Sequence, residues 1–365
     1  MIALPLKRQM RPCEKRKQKR PERTYYSRGC TMRRGRIPTW FLLLALLAAF
    51  ALVGVWVAGS YLVSPVRSLI GAPPPDIPVQ AVTFPDATGE PIHGWFVTGT
   101  KGRGAVLLLH GVRADRRAMI HRARFLHAAG YAVLLIDFQA AGESPGKAIT
   151  FGYREAEDVK ASLRYIHQRL PGEHVGIIGT SMGGAATILA APGVDADAVV
   201  LEQVYPTIQQ ATEDRLAIHL GPMGPWLAPV LLMTLHAHLG IYPDQLRPID
   251  HIGHLSMPKL LIVGDHDRDT TISESYAMFH AAKGPKELWV VHGAAHVDLY
   301  GYAKTDYQLR VLGFFDTWLR GGNRAVGQQA KRLLPTGTDE LAGRVTCDTW
   351  GNVTAARSTT APPGC

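Results

Sequence analysis

The sequence predicts an α/β protein: a mostly parallel, eight-stranded sheet with helices on both faces, interrupted by a helical insertion and preceded by one transmembrane helix. Three observations carry that expectation. Short Val/Leu/Ile-rich runs alternate with helical patterns between residues 79 and 320, and continuous apolar strands separated by helices belong to a parallel sheet covered on both faces. Trp40–Val63 is a run of 24 residues without a charge, which at about 1.5 Å per residue crosses the roughly 30 Å hydrocarbon layer with some tilt. Finally, Gly179-Thr180-Ser181-Met182-Gly183 lies between the apolar run Val175–Ile178 and the small-residue segment Gly184–Ala191. It reads as strand, sharp turn and helix, with a serine at the apex.

Residues 1–36 hold 13 Lys or Arg against Glu14 and Glu22, a net +11 in a chain whose total is +10, so the remainder carries −1. A basic patch confined to one end, without a recognition motif, argues against a nucleic-acid partner. Next to an apolar segment at 37–63 it marks the cytoplasmic side, and Trp40, Trp56 and Tyr61 fall toward the interfaces. The run exceeds the core of a cleavable signal peptide. The expectation is an uncleaved anchor touching the bilayer through residues 40–63, with the N-terminus cytoplasmic and everything after Ser64 extracytoplasmic, periplasmic in a Gram-negative cell. Met1 and Met32 are both candidate starts.

Residues 64–78 are proline-rich and expected to be a stiff spacer lifting the domain from the membrane. Strands are expected at Val79–Phe84 and His93–Val97, an antiparallel edge, and then at Ala105–Leu109, Ala132–Phe138, Val175–Gly179, Ala198–Glu202, Lys259–Val263 and Glu287–Val291. Helical patterns cover Arg116–Ala129, Arg154–Arg169, Gly183–Ala191, Ser273–Ala282 and Tyr302–Leu319. The interval 207–257 holds Pro222, Pro225, Pro229 and the apolar run Trp226–Leu239, so broken helices forming a cap over the strand ends are expected. The tail 321–365 lacks periodicity and is expected to be disordered. Cys13 and Cys30 precede the anchor, Cys347 and Cys365 lie in the tail, and a disulfide or two free thiols are both open for the latter pair. No C-x-x-C or H-E-x-x-H spacing occurs, so neither a metal nor an organic cofactor is expected.

A serine hydroxyl is a poor nucleophile until a base takes its proton, and the base needs a carboxylate to fix its tautomer. In a parallel sheet such groups sit on loops leaving the carboxyl ends of strands. Two of those loops offer partners in chain order: Gly264-Asp265-His266-Asp267, with Asp269 close behind, and His292-Gly293-Ala294-Ala295-His296.

With these residues, and with His110-Gly111 after the third strand, residues 79–320 resemble the α/β-hydrolase superfamily, and more narrowly bacterial membrane-anchored serine hydrolases of undefined substrate. The resemblance implies Ser181 as nucleophile, His296 as general base and then acid, and Asp267 as the orienting carboxylate. Glu202 occupies an alternative acid position, and His292 reads as structural. Gly179 and Gly183 flank the nucleophile elbow. One oxyanion donor is expected at the Met182 amide, where the helix dipole helps, and the other, by resemblance, at Val112, with His110 positioning that loop. Arg113, Arg116 and Arg117 read as solvated arginines. The segment Asp137–Ser144 departs from the family's Asp-x-Arg-Gly-His-Gly-x-Ser, with Gln139, Ala140 and Ala141 at the Arg-Gly-His positions, which puts the local loop geometry in question. The implied activity is cleavage of an ester or related acyl bond in a small molecule, carboxylesterase-like. A thioesterase, lipase or peptidase on the same triad, or a non-catalytic membrane-tethered binding module, stands as the alternative. The sequence leaves the oligomeric state unknown.

Overall fold

The structure is a computed structural model that describes residues 38–320; the basic segment 1–36, the tail 321–365 and all four cysteines lie outside the described residues. Eight strands form one sheet: β1 (Val79–Pro85), β2 (Pro91–Val97), β3 (Ala105–Leu109), β4 (Ala132–Ile136), β5 (Val175–Thr180), β6 (Ala198–Glu202), β7 (Lys259–Gly264) and β8 (Lys286–Val291). Their spatial order is β1-β2-β4-β3-β5-β6-β7-β8. β1 and β2 pair antiparallel, β2 meets β4 antiparallel, and every other pairing is parallel. The chain order reverses between β3 and β5, the position at which an open α/β sheet leaves a crevice at its strand ends.

The helices are α1 (Thr39–Val63), α2 (Ile120–Ala128), α3 (Glu155–Arg169), α4 (Met182–Leu189), α5 (Ile208–Leu220), α6 (Ala228–Leu239), α7 (Pro248–His251), α8 (Ile272–Ala281), α9 (Leu299–Tyr302) and α10 (Lys304–Leu319). Every residue of β3 and β4 is buried, and alternate side chains feed two cores. Leu107, Leu134, Ile177 and Val199 pack with α3, α4 and α8 on one face. Val106, Leu108, Val133, Ile178 and Val200 pack with α2 and α10 on the other. The twofold period of the strand supplies both layers from uninterrupted apolar runs.

Several boundaries differ from expectation for local reasons. The helix foreseen at 116–129 opens as a 3-10 turn, Arg116–Met119, whose start is capped by Asp115 accepting from the Arg117 amide at 3.0 Å. The one foreseen at 302–319 divides at Ala303 into α9 and α10. β4 stops at Ile136 because the next two residues turn to other partners: the Asp137 carboxylate accepts from Arg116, and the Phe138 amide donates to His110 Nε2 at 3.2 Å.

Residues 64–78 are not the spacer the prolines suggested. Val66 and Arg67 form a two-residue parallel bridge with Ala141 and Gly142, and Ile70 is buried in the α2/α10 core. The segment is stitched to the domain because its apolar side chains and amides find partners there. The chain divides into two units, Met1–Ala49 and Phe50–Cys365, and the sheet, the cap and residues 50–63 of α1 belong to the second.

Between β6 and β7 stand α5, a 3-10 turn at Gly221–Leu227 with Pro225 inside it, α6 and α7. Among the described residues two helical stretches, Thr39–Val63 and Ile208–Leu239, are long and apolar enough to cross a membrane.

The first turn of α3 carries acids that hold loops. Glu155 accepts from the amides of Thr150 and Gly152 at 2.8 and 2.9 Å, and Asp158 Oδ2 accepts from the Gln139 amide at 2.8 Å. Asp158 Oδ1 has no partner among the described residues. Burial pushes the Asp158 carboxyl well above the usual range against that one amide, and the neighbouring Glu155 adds to the rise. A carboxyl whose pKa is raised by folding contributes least to stability when it must ionise, so its cost sets in as pH climbs from about 4 through the folded value. Asp158→Asn is therefore expected to stabilise the protein at pH 8 by about 1–3 kcal/mol, with the gain shrinking toward pH 4. Urea midpoints across pH check this.

Candidate active site

Ser181 links β5 to α4 with φ 49 and ψ −111, a left-handed conformation that costs an L-residue of order 1–3 kcal/mol and persists only where the surroundings impose it. They impose it through contact. A Cβ on Gly179 would lie 2.7 Å from the Gly184 nitrogen, and one on Gly183 would lie 2.5 Å from the Leu109 carbonyl oxygen. The two glycines thus let strand, helix and the end of β3 close on one another. The Ser181 amide donates to the Glu202 carbonyl at 2.8 Å, and its hydroxyl makes no hydrogen bond among the described residues.

β7 and β8 end nearby in the sheet, and their loops sort the competing acids and histidines. Asp267 Oδ2 accepts from His296 Nδ1 at 2.8 Å and from Gln203 Nε2 at 2.9 Å. Its Oδ1 accepts from the amides of Asp269 and Thr270, each at 2.9 Å. Asp265 instead pairs with exposed His292 at 3.0 Å and accepts from the Gly293 amide. Asp269 faces Arg215 of the cap at 3.5 Å. Of the four Asp–His pairs among the described residues, Asp267–His296 alone has its acid fully buried, whereas Asp265–His292, His167–Asp195 and His174–Asp197 lie at the surface. Among the described residues His296 Nε2 has no partner, and no hydrogen bond joins it to Ser181.

Gln203 was not singled out by the sequence reading. It follows β6 with φ 50, and its side-chain amide donates both to Asp267 and to the Ala295 carbonyl at 2.8 Å. It ties the β7 loop to the β8 loop one residue away from the acceptor of the Ser181 amide. The only signal was its place directly after a strand end.

Glu202, the alternative acid, is engaged elsewhere. Its carboxylate accepts from Arg122 Nη2 at 2.6 Å, Arg122 Nε at 3.1 Å and Thr180 Oγ1 at 3.1 Å, and from the Tyr307 hydroxyl. Burial disfavours the Arg122 charge, yet the attraction of Glu202 outweighs it and holds the guanidinium well above its ordinary value. Removing the Glu202 charge leaves buried Arg122 with only half-exposed Asp298, at 2.8 Å, as counter-charge, and an undercompensated buried charge is costly. Glu202→Gln is expected to destabilise the fold by about 3–5 kcal/mol, read as a lowered urea midpoint.

The His110-Gly111 loop lies against the elbow: a Cβ on Gly111 would stand 3.7 Å from Ser181 Cβ. His110 Nδ1 bonds the Gly111 carbonyl at 2.8 Å while Nε2 accepts from the Phe138 amide. Burial lowers the His110 pKa, in keeping with a neutral ring that donates once and accepts once. The amides of Val112 and Met182 have no acceptor among the described residues, and both residues line the cavity at Ser181. Of the arginines that follow, Arg117 is exposed and pairs with Asp115 at 2.7 Å, whereas Arg113 and Arg116 are held by the protein rather than solvated. Arg116 is buried against Asp137 at 2.8 Å and against Glu143. Arg113, with φ 57, donates to the Tyr61 carbonyl at 2.9 Å and stacks over the Tyr61 ring. In the divergent loop, Ala140 sits in the left-handed region with φ 62 where the family pattern has glycine.

The cavity measures about 440 Å³ and is lined mostly by apolar groups, among them Phe151, Tyr205, Ile208, Leu231 and Leu235. That is within the range of about 300–1,000 Å³ typical of small-molecule sites. The carboxylates of Asp267 and Asp269 and the His296 ring place ligand-type atoms within 4.8 Å of one another. Both Asp267 oxygens, however, are already satisfied twice by protein donors.

Residues 100–241 match the family described as serine aminopeptidase, S33 (Hydrolase_4). An esterase from Pyrococcus furiosus superposes with a TM-score of 0.60 at 25% identity, covering 71% of this chain and 98% of that one. The chain belongs to the α/β-hydrolase superfamily. This α/β hydrolase is also 24% identical over 244 residues to the uncharacterised YqkD of Bacillus subtilis, covering 65% of this chain and 79% of that protein. An uncharacterised Mycobacterium tuberculosis protein, Rv2307c, is 28% identical over 214 residues, covering 58% of this chain and 69% of its own. A Paenibacillus acetyl xylan esterase shares the fold at TM-score 0.51 and 18% identity, covering 72% and 93%. Family and fold together support hydrolase chemistry.

Proposed function

We propose that this α/β hydrolase is a single-pass, membrane-anchored serine esterase acting through Ser181, His296 and Asp267, with its N-terminus cytoplasmic and its hydrolase domain extracytoplasmic. The supporting observation is the Asp267–His296 hydrogen bond, held at the same carboxyl edge of the sheet as a serine in a strained strand-to-helix turn. In this reading His296 carries its proton on Nδ1, toward Asp267, so Nε2 is the basic nitrogen. Ser181 Oγ attacks the acyl carbonyl and its proton passes to Nε2. The oxyanion is met by the Val112 and Met182 amides, which need no reorganisation to donate. Collapse breaks the bond to the leaving oxygen, which takes the proton from His296, and a water deprotonated by the same nitrogen releases the acid. The hydrogen bond from Ser181 to His296 must form when substrate binds, a tightening common in such sites.

Apolar cavity walls favour an uncharged acyl group, which supports an ester over a peptide. The test is labelling with a fluorophosphonate together with p-nitrophenyl ester hydrolysis. Labelled, active protein supports the reading; folded protein that neither labels nor hydrolyses would instead be a tethered binding module.

A further inference from the structure

We infer that the substrate is a long-chain acyl amphiphile resident in the bilayer, entering the Ser181 cavity along the seam between α1 and α6; this rests on the serine-esterase reading above. A tether needs no contact with the site it carries. Here Gly59, Leu62 and Val63 of α1 wall the same cavity as Ser181, facing Leu231 and Leu235 of α6. Arg113, next to the Val112 amide, also grips the last turn of α1 through the Tyr61 carbonyl.

The two helices lie side by side in opposite senses. A Cβ on Gly59 would meet Thr234 Oγ1 at 2.2 Å. One turn further along α6, the His238 ring lies against Trp56 with centroids 4.2 Å apart and planes tilted by 47°, and its Nε2 lies 3.3 Å from Ser60 Oγ. α6 therefore flanks the final two turns of α1, at the level where Trp56 and Tyr61 mark a membrane interface.

The outer flank of that part of the cap is apolar and uncovered. Met223, Trp226, Leu227, Val230 and Met233 are exposed, Trp226 at 78% and Met233 at 75%, and on α6 they lie opposite the buried stripe of Ala228, Leu232, Leu235 and Leu239. Positions 223, 226, 230 and 233 repeat at helical spacing. No Asp, Glu, Lys or Arg occurs between Arg215 and Asp244. Such a face in water is a liability; lying in an interface it is an anchor surface. The occupant that fits is lipid, because the face continues beside residues 50–62 of α1, a charge-free stretch on which Phe50, Leu52, Val53 and Val57 are exposed. One face of α6 thus meets acyl chains while the next lines the cavity, so a chain passes from leaflet to site without crossing water.

The test uses the full chain in phosphatidylcholine vesicles, with p-nitrophenyl palmitate in the bilayer, p-nitrophenyl acetate in the water, and fluorophosphonate labelling alongside. The wild type is expected to hydrolyse palmitate. Met223→Ser/Trp226→Ser/Met233→Ser, none of which lines the cavity, is expected to lower the palmitate-to-acetate ratio at least tenfold once rates are normalised to labelled protein. If the triple variant does not fold and label, Trp226→Ser alone is expected to lower the ratio severalfold. Labelled wild type that turns over acetate but not palmitate, or a ratio unmoved by these substitutions, overturns the inference and leaves the esterase standing. Wild type that takes no label and cleaves neither ester overturns both.

Discussion

Ser181→Ala is expected to lower kcat for ester hydrolysis by about 10⁶-fold, to the residual level that substrate binding and oxyanion contacts alone sustain. The size follows from the division of labour in the proposed triad. Without Oγ no acyl-enzyme forms, and the remaining groups can only assist water, which lacks a fixed position. The fold is expected to survive, because the strained turn is imposed by Gly179, Gly183 and the bond from the residue 181 amide to the Glu202 carbonyl, and none of these uses the hydroxyl. Initial rates with p-nitrophenyl butyrate, beside a thermal melt of the same sample, measure both halves of the expectation.

Asp267→Asn is expected to cost about 10⁴-fold in kcat, and the surrounding donors explain why a nearly isosteric change is so damaging. All four hydrogen bonds to this carboxylate come from donors: His296 Nδ1 and Gln203 Nε2 on one oxygen, the Asp269 and Thr270 amides on the other. An asparagine must place an NH₂ against one of these pairs. Against the loop amides it would break the turn that holds the residue. Against the imidazole it would force Nδ1 to accept, move the ring proton to Nε2 and leave the base without a lone pair toward Ser181. The tautomer shift is visible in the ¹⁵N spectrum of the imidazole, which separates this cause from a loss of fold.

Much of the candidate site was legible because its residues sit at strand ends, and strand ends show in the sequence as apolar runs that stop. Ser181, Asp267 and His296 each follow such a run. The resemblance preferred Asp267, and in the structure Asp265 pairs with His292 instead. Elements defined by long-range pairing were not legible. Arg122 and Glu202 are 80 residues apart, so the burial of one against the other has no local signature. Gln203 acts through a left-handed backbone and a doubly used amide, neither of which composition can reveal. The proline-rich stretch 64–78 read as a spacer because its composition is that of one, and the bridge to Ala141 and Gly142, with Ile70 buried in the core, shows that the domain holds it. The cap was foreseen as broken helices, but its contact with α1 was not, since an apolar helix looks the same whether lipid or protein surrounds it.

The most direct test is the site and rate of covalent labelling by a fluorophosphonate, mapped by peptide mass in the wild type and in His296→Ala. If Ser181, His296 and Asp267 act as one unit, the adduct falls on Ser181 and the His296 variant labels about 10³-fold or more slowly. An adduct on a different residue, or equal labelling rates in the two proteins, would contradict it.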